Sequence, residues 1–366
     1  MVGDDDQAIY ASLGGVTRSA NEIKDEFEIE KLSEFTLVGN YRSSQRVIEF
    51  CHQFRESDFK VESLSDLKDS NGKISFSDQR YHADDVSNEI ASVVEMYIEE
   101  GIPEHEICVL APRWRFITSL GRELVRLLPS VRFDAPGLSP FRVNQDGVWF
   151  KLVKLILTEP HPRYYRSRLQ LAGDIVREVE LSIGSKLDPH KRIPRNLLRL
   201  INSLDSTHTD GISYLEDITD QLFLDIKINL SNFPAFAKTR DDYFEAARKR
   251  LMNPEYSVPA DVQSLRKFFR PSEGVVVNTC HGIKGEEYKV VICFGLLRGY
   301  VPHWDEIFDK DVQDSEESQK LLYVIMSRAK LYIHLIAESG RKTQRGDAYE
   351  TTRELKNVEF EYDVRS

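Results

Sequence analysis

The strongest constraint on the fold of this 366-residue sequence is an alternation of strand-like and helix-like apolar patterning that stops near residue 135 and resumes near residue 274. Before the break, residues 73–77 alternate like a short strand, and residues 83–100 place Val86, Ile90, Val93, Val94, Tyr97 and Ile98 on one helical face, with Gly101 as the stop. Residues 106–111 form a continuous apolar run of the kind buried on both sides in a parallel sheet. A helix over 115–128 and a strand around 131–133 follow. After the break, residues 274–279 and 290–294 read as strands, then come a helix near 316–329 and a strand over 331–336. Strand, helix, strand, helix predicts a parallel α/β sheet, here built from two sequence-distant pieces. Between them, from about 136 to 270, Pro136, Pro140, Pro160, Pro162, Pro189 and Pro194 punctuate helical segments such as 147–158 and 212–226, which predicts a mainly helical insertion. Upstream, Ser44 is placed to cap a helix carrying Val47, Ile48, Cys51 and Phe54. The tail beyond about residue 340 is polar and is expected to be loose.

With 41% hydrophobic and 30% charged residues, the chain has an ordinary globular composition. No apolar run approaches the length of a membrane span, and the opening Met1-Val2-Gly3-Asp4-Asp5-Asp6 is acidic where a signal peptide is basic and then apolar. A cytoplasmic protein with no membrane partner is expected. The four cysteines, Cys51, Cys108, Cys280 and Cys293, form no CxxC pair, so neither a metal site nor a disulfide framework is predicted. Cys51, Cys108 and Cys293 lie in apolar periodic segments and are expected to be buried thiols. A net charge of −11 excludes binding nucleic acid through the overall field; any such contact must be local.

Four short segments carry chemistry. They are Val2-Gly3-Asp4-Asp5-Asp6-Gln7-Ala8-Ile9-Tyr10, Gly39-Asn40-Tyr41-Arg42-Ser43-Ser44, residues 279–288 with Thr279, His281, Gly282, Lys284, Gly285 and Glu287, and residues 316–329 ending in Ser327-Arg328-Ala329. Arg42 precedes a capped helix and Arg328 closes an amphipathic one, so each guanidinium has a rigid support. Arginine pairs bidentately with phosphate oxygens and stays protonated, which suits stabilisation of a transferring γ-phosphoryl group. The Gln7 amide is suited to orient water or to sense a γ-phosphate. Gly282 and Gly285 let backbone approach a ligand closely.

Taken in this order, the segments resemble helicase motifs III, IV, V and VI of the superfamily 1 UvrD/Rep-type DNA helicases, over nearly the whole chain. That resemblance implies a RecA-like, P-loop-NTPase-type parallel sheet, without its phosphate-loop half, interrupted by a helical inserted domain. It implies that residues 1–33 are a remnant of a first RecA-like domain, that 34–135 and 271–366 form the second (2A-like) domain, and that 136–270 is a 2B-like insertion. By resemblance Arg42 and Arg328 are arginine fingers and Gln7 couples nucleotide state to DNA. Glu287, with Gly285 and Lys284, lies at bound nucleotide, whereas Tyr10, Thr279 and His281 face single-stranded DNA. The implied function is that of the C-terminal portion of an ATP-dependent 3'-5' DNA helicase, acting on single-stranded DNA or a single-/double-strand junction.

The sequence departs from the family pattern after Tyr10, where Ser12 and Leu13 replace the family's tryptophan and arginine. A basic stretch in the insertion, Arg163, Arg166, Arg168, Lys186, Lys191, Arg192, Arg195 and Arg199 with Tyr164 and Tyr165, is a candidate replacement DNA contact or else a solvated helical face. No GxxxxGK[ST] loop is present, since Gly184-Ser185-Lys186 lacks the partner glycine, and Asp25-Glu26-Phe27 follows Gln7 where the family's acidic box precedes it. ATP and magnesium are therefore expected to be held mainly by an N-terminal phosphate-loop half, in cis or in trans. Truncation, gene splitting or a misassigned start is the expected reason, with residues 1–33 poorly anchored. The alternative reading is a non-catalytic DNA-binding or interaction module derived from such a helicase.

Overall fold

The computed structural model describes residues 5–366 apart from 8–19, 29–31, 34, 56, 58, 82–84, 142–146, 254–258, 271–272, 284, 302–313 and 344. The chain divides into two compact units, Met1–Ala135 with Ser272–Ser366, and Pro136–Pro271.

In chain order the first unit begins with α1 (Ala20–Glu26), β1 (Gly39–Asn40), α2 (Gln45–His52), β2 (Glu62–Ser63), β3 (Ile74–Ser77), α3 (Asp85–Glu99), β4 (Ile107–Ala111), α4 (Trp114–Leu127) and β5 (Phe133–Asp134). The second unit contributes α5 (Val148–Leu157), α6 (Tyr165–Ile183), α7 (Pro194–Ser203), α8 (Gly211–Asp225), α9 (Pro234–Leu251) and α10 (Val262–Arg266). The first unit resumes with β6 (Val275–Thr279), β7 (Tyr288–Phe294), α11 (Asp314–Met326), β8 (Ala329–Ile336), α12 (Arg353–Lys356) and β9 (Val364–Arg365).

Seven strands form one sheet in the order β5-β6-β4-β7-β8-β3-β9, and every pairing in it is parallel. This is the parallel α/β sheet that the alternating pattern predicts, consistent with the RecA-like fold that the resemblance implies, and β6 and β7 from beyond the insertion flank β4 from before it. The central strands are apolar along their whole length because helices cover both faces of a parallel sheet. All five residues of β4 are buried, and Val290, Val291, Ile292 and Cys293 of β7 are fully enclosed. Each such side chain contributes about 1.5–3 kcal/mol through the water it excludes.

Local signals place the surrounding elements. The Ser44 side chain caps α2 by accepting from the Val47 amide. Past α3, Gly101 adopts φ +85, a left-handed stop that a residue with a Cβ resists. Gly72 leads into β3 so close to the neighbouring strand that a Cβ there would lie 1.9 Å from the Leu331 carbonyl oxygen.

A polar network crosses the sheet at His334 of β8, whose Nδ1 pairs with Ser75 Oγ and whose Nε2 pairs with Tyr97 OH, each at 2.7 Å. Burial pushes the imidazole pKa down to about 4, so it stands neutral with both nitrogens satisfied.

Two expectations need correction. The tail does not end loosely, because β9 pairs in parallel with β3 as the outermost strand, Ser75 with Val364 and Phe76 with Arg365. Phe360 and Tyr362 pack on Phe50, and Arg46 is bonded to Asp363. Nor is the start uniformly unanchored, since Asp6 is buried and ion-paired to Arg55.

In the second unit the regular elements among the described residues are helices, apart from an isolated bridge between Asp210 and Asp261. Its core joins Trp149, Leu152 and Leu155 of α5 to Ala172 and Ile175 of α6 and to Leu215, Ile218 and Leu222 of α8. Arg168 belongs to that interior. It is 4% exposed and donates to the Leu155 carbonyl and to Asn202 Oδ1. It thus leaves the expected basic surface stretch. Arg192 is ion-paired to Glu180 and Arg195 bonds the Tyr165 hydroxyl, while Arg163, Arg166 and Lys186 remain exposed.

Candidate nucleotide and nucleic-acid site

Four of the sequence-selected residues meet at the amino ends of β7 and β8. Glu287 immediately precedes β7 and Arg328 immediately precedes β8, and these strands are neighbours whose first residues, Tyr288 and Ala329, stand side by side. The Tyr288 amide donates to the Arg328 carbonyl at 2.9 Å, which locks the two loops together. Arg42 approaches from the turn before α2. Its Nη1 donates to the Ser327 carbonyl at 2.9 Å and its Nη2 lies 2.5 Å from Glu287 Oε1. The turn itself is built by Asn40, whose Oδ1 accepts from the Arg42 and Ser43 amides, and by the Ser43 hydroxyl donating to the Ala329 carbonyl.

Arg328 is 2% exposed and almost wholly engaged. Its Nε donates to the Val324 carbonyl at 3.1 Å, Nη1 to the Glu286 carbonyl at 3.3 Å, and Nη2 to Ser327 Oγ at 3.0 Å and Gln7 Oε1 at 3.1 Å. Burial, and after it the neighbouring Arg42 cation, lower its pKa below the usual guanidinium value. Cys51 of α2 lies beneath the same cluster. Burial pushes its thiol up to about 12, opposed by Arg328, Arg55 and Arg42.

The polar groups fit a phosphate. The buried Nε of Arg42 has no hydrogen-bond partner, and two guanidiniums converge where a single carboxylate, Glu287, answers Arg42. Beside them the Tyr41 ring is 77% exposed and offers an apolar plane. Among the described residues no group of three His, Cys, Asp or Glu suited to hold a metal occurs.

Thr279 and His281 lie at the opposite end of the strands. Thr279 is the last residue of β6, in register with Ala111 at the end of β4. Its Oγ1 accepts from the Gly282 amide at 3.1 Å, which folds Cys280–Gly282 into a turn with His281 exposed. Gly285, exposed at φ +96, begins the return toward Glu287. Tyr10 and Lys284 lie outside the described residues. The structure therefore brings Gln7, Arg42, Glu287 and Arg328 together and sets Thr279 and His281 apart from them.

At that carboxyl end sits a cluster the sequence reading passed over. Arg113, Trp114 and Arg115 follow β4 directly; the Arg113 and Arg115 guanidiniums lie 5.6 and 5.8 Å from the Tyr300 ring centre, and Arg115 donates to its hydroxyl at 3.0 Å. Tyr300 stacks on Tyr349 at 4.7 Å, and Trp114 is 47% exposed. The adjacent basic and aromatic residues Arg113-Trp114-Arg115 at a strand end were the available signal.

Comparison with known proteins identifies similar chains. Residues 229–340 match the family model of the UvrD-like helicase C-terminal domain. A probable DNA helicase II homolog of Mycoplasma genitalium is 24% identical over 92% of this chain and 50% of its own length. The homolog of Mycoplasma pneumoniae is 21% identical with the same coverage. The ATP-dependent DNA helicase PcrA of Staphylococcus aureus is 25% identical over 35% of this chain and 18% of its own. The chain spans about half the length of the two Mycoplasma relatives. Parallel sheet and relatives agree: this chain is similar to the C-terminal part of the UvrD/Rep-type DNA helicases, with residues 229–340 matching the UvrD-like helicase C-terminal domain.

Proposed function

We propose that this chain is the C-terminal portion of an ATP-dependent 3'-5' DNA helicase or translocase, and that it completes a nucleotide site whose phosphate loop and magnesium ligands come from an N-terminal half in cis or in trans. The observation that carries the reading is the meeting of Arg42 and Arg328 through Ser327, at one end of the sheet. In this reading the two guanidiniums stabilise charge on the γ-phosphoryl group as it transfers, Gln7 reports its presence through Arg328, and Glu287 releases Arg42 to the phosphate. Gly285 and Lys284 border the nucleotide, and the exposed Tyr41 ring packs on its base.

Single-stranded DNA, or a junction, runs along the carboxyl ends of β4 and β6, past Thr279 and His281, with Tyr10 as a further contact. The exposed Trp114 ring and the flanking arginines support that path, since every base has a face to stack. They also supply aromatic and basic character that Ser12 and Leu13 do not. The protein acts in the cytoplasm, in DNA repair or a related transaction. On its own the chain has negligible ATPase activity, because it carries neither a phosphate loop nor the acidic magnesium ligand.

The test is to mix the chain with a phosphate-loop half from a relative and to measure DNA-stimulated ATP hydrolysis, with Arg328→Ala as control. Hydrolysis that appears on mixing and vanishes in the variant supports the reading. No gain on mixing sinks it and leaves the non-catalytic module.

A further inference from the structure

Next to the Gln7–Arg328 hydrogen bond lies a buried ion pair. Asp6, the residue before Gln7, is 5% exposed, and its Oδ2 accepts from Arg55 Nε at 3.0 Å and from Ser57 Oγ at 2.6 Å. The Arg55 side chain is itself only 4% exposed. Its guanidinium lies 4.2 Å from the Phe59 ring centre and 5.5 Å from the Tyr323 ring centre. Tyr323 belongs to α11, and its carbonyl receives the amide of Ser327 just before Arg328. One side chain thus touches the neighbour of Gln7 and also the helix whose end carries Arg328.

An enclosed ion pair is a poor source of net stability, because desolvating both charges offsets most of their attraction; its usual benefit is a fixed register. The register is what this site needs. The backbone of Asp5–Gln7 makes only a single short turn, and a three-residue turn has too few internal bonds to hold a side chain in place. The planar guanidinium is fixed by two rings and by its Nε bond, which a lysine cannot reproduce.

We infer that Arg55, acting through the buried carboxylate of Asp6, is a positioning residue that sets the Gln7 amide against Arg328. It does not itself touch nucleotide. The catalytic meaning of this arrangement rests on the nucleotide reading above, whereas the arrangement itself does not.

The test uses the full chain with 15N-labelled glutamine side chains, the Gln7 amide being identified by its loss in Gln7→Ala. In Arg55→Lys and in the isosteric Asp6→Asn, the Gln7 side-chain signals are expected to move to the position of a solvent-exposed glutamine. The Gln45 signals, whose Oε1 accepts from the Ser63 amide at 2.9 Å, stay in place and certify folding. Gln7 signals that remain unmoved in folded Asp6→Asn overturn the inference. If they move but Arg328→Ala leaves hydrolysis by the mixed halves untouched, the positioning stands and the nucleotide reading falls. If they do not move and Arg328→Ala abolishes hydrolysis, the reverse holds.

Discussion

Arg42 donates to the carbonyl oxygen of Ser327 at 2.9 Å across 285 positions of sequence, and so joins the turn before α2 to the end of α11. The bond fixes the spacing of the Arg42 turn and the segment that carries Arg328. In the mixed-halves assay, Arg42→Ala and Arg328→Ala are each expected to lower the hydrolysis rate by about 10³-fold. Because the two act as a unit, the double variant should lose little more than either single one, a comparison read directly from steady-state rates.

The ion pair of Arg42 with Glu287 is a different matter. Both side chains are partly exposed, 29% and 41%, so solvent screens their attraction. Glu287→Gln should shift folding stability by less than about 1 kcal/mol in urea unfolding. A larger loss would mean that the pair holds the fold rather than the site.

His334 predicts an acid-side slope in stability. Its pKa is near 4 in the fold and 6.5 in the unfolded chain, so the unfolded chain binds the extra proton between those values. The stability contribution is complete above about pH 6.5 and is lost as pH falls toward 4, by about 3 kcal/mol in all. Denaturant unfolding across that window measures it, and His334→Gln, which retains hydrogen-bonding groups for Ser75 and Tyr97, should flatten the slope.

All four cysteines are buried. Burial raises the Cys108 and Cys293 thiols as well as Cys51, so little thiolate is present at neutral pH. A colorimetric disulfide reagent should titrate none of them in the folded chain and four after unfolding. Rapid modification of one in the native state would contradict the packing.

At Gly72 there is no room for any side chain. The Cβ of Gly72→Ala would sit 1.9 Å from the Leu331 carbonyl oxygen, so strand β3 must move away from β8. A loss of about 2–4 kcal/mol is expected in thermal or denaturant unfolding.

The parallel sheet was legible because its central strands and helices carry their own periodicity. The pattern over 106–111 needs no partner to be read, and β4 appears there as Ile107–Ala111. Strand β9 was not legible, since two residues have no period and their place at the sheet edge is decided by Phe360 and Tyr362 packing on Phe50 of α2. Arg168 misled for a related reason. A basic residue in a basic run reads as surface, and only the fold reveals that Leu155 and Asn202 receive it inside. The ordered motifs singled out Arg42, Arg328, Gln7 and Glu287, which the fold brings together. Nothing local announced that Arg55, with no motif around it, reaches Asp6 and closes over the same corner.

The segment between Thr279 and Glu287 joins the carboxyl end of β6 to the amino end of β7. Seven residues reach at most about 25 Å when fully drawn out. They must cover the length of a five-residue strand, about 16 Å, while stepping sideways past β4, and part of them is already folded into a turn. Ile283, fully enclosed midway, pins the tether to the body of the sheet. The enclosed Ile283 side chain thus gives the turn at Thr279 and the approach to Glu287 a common anchor in the body of the sheet.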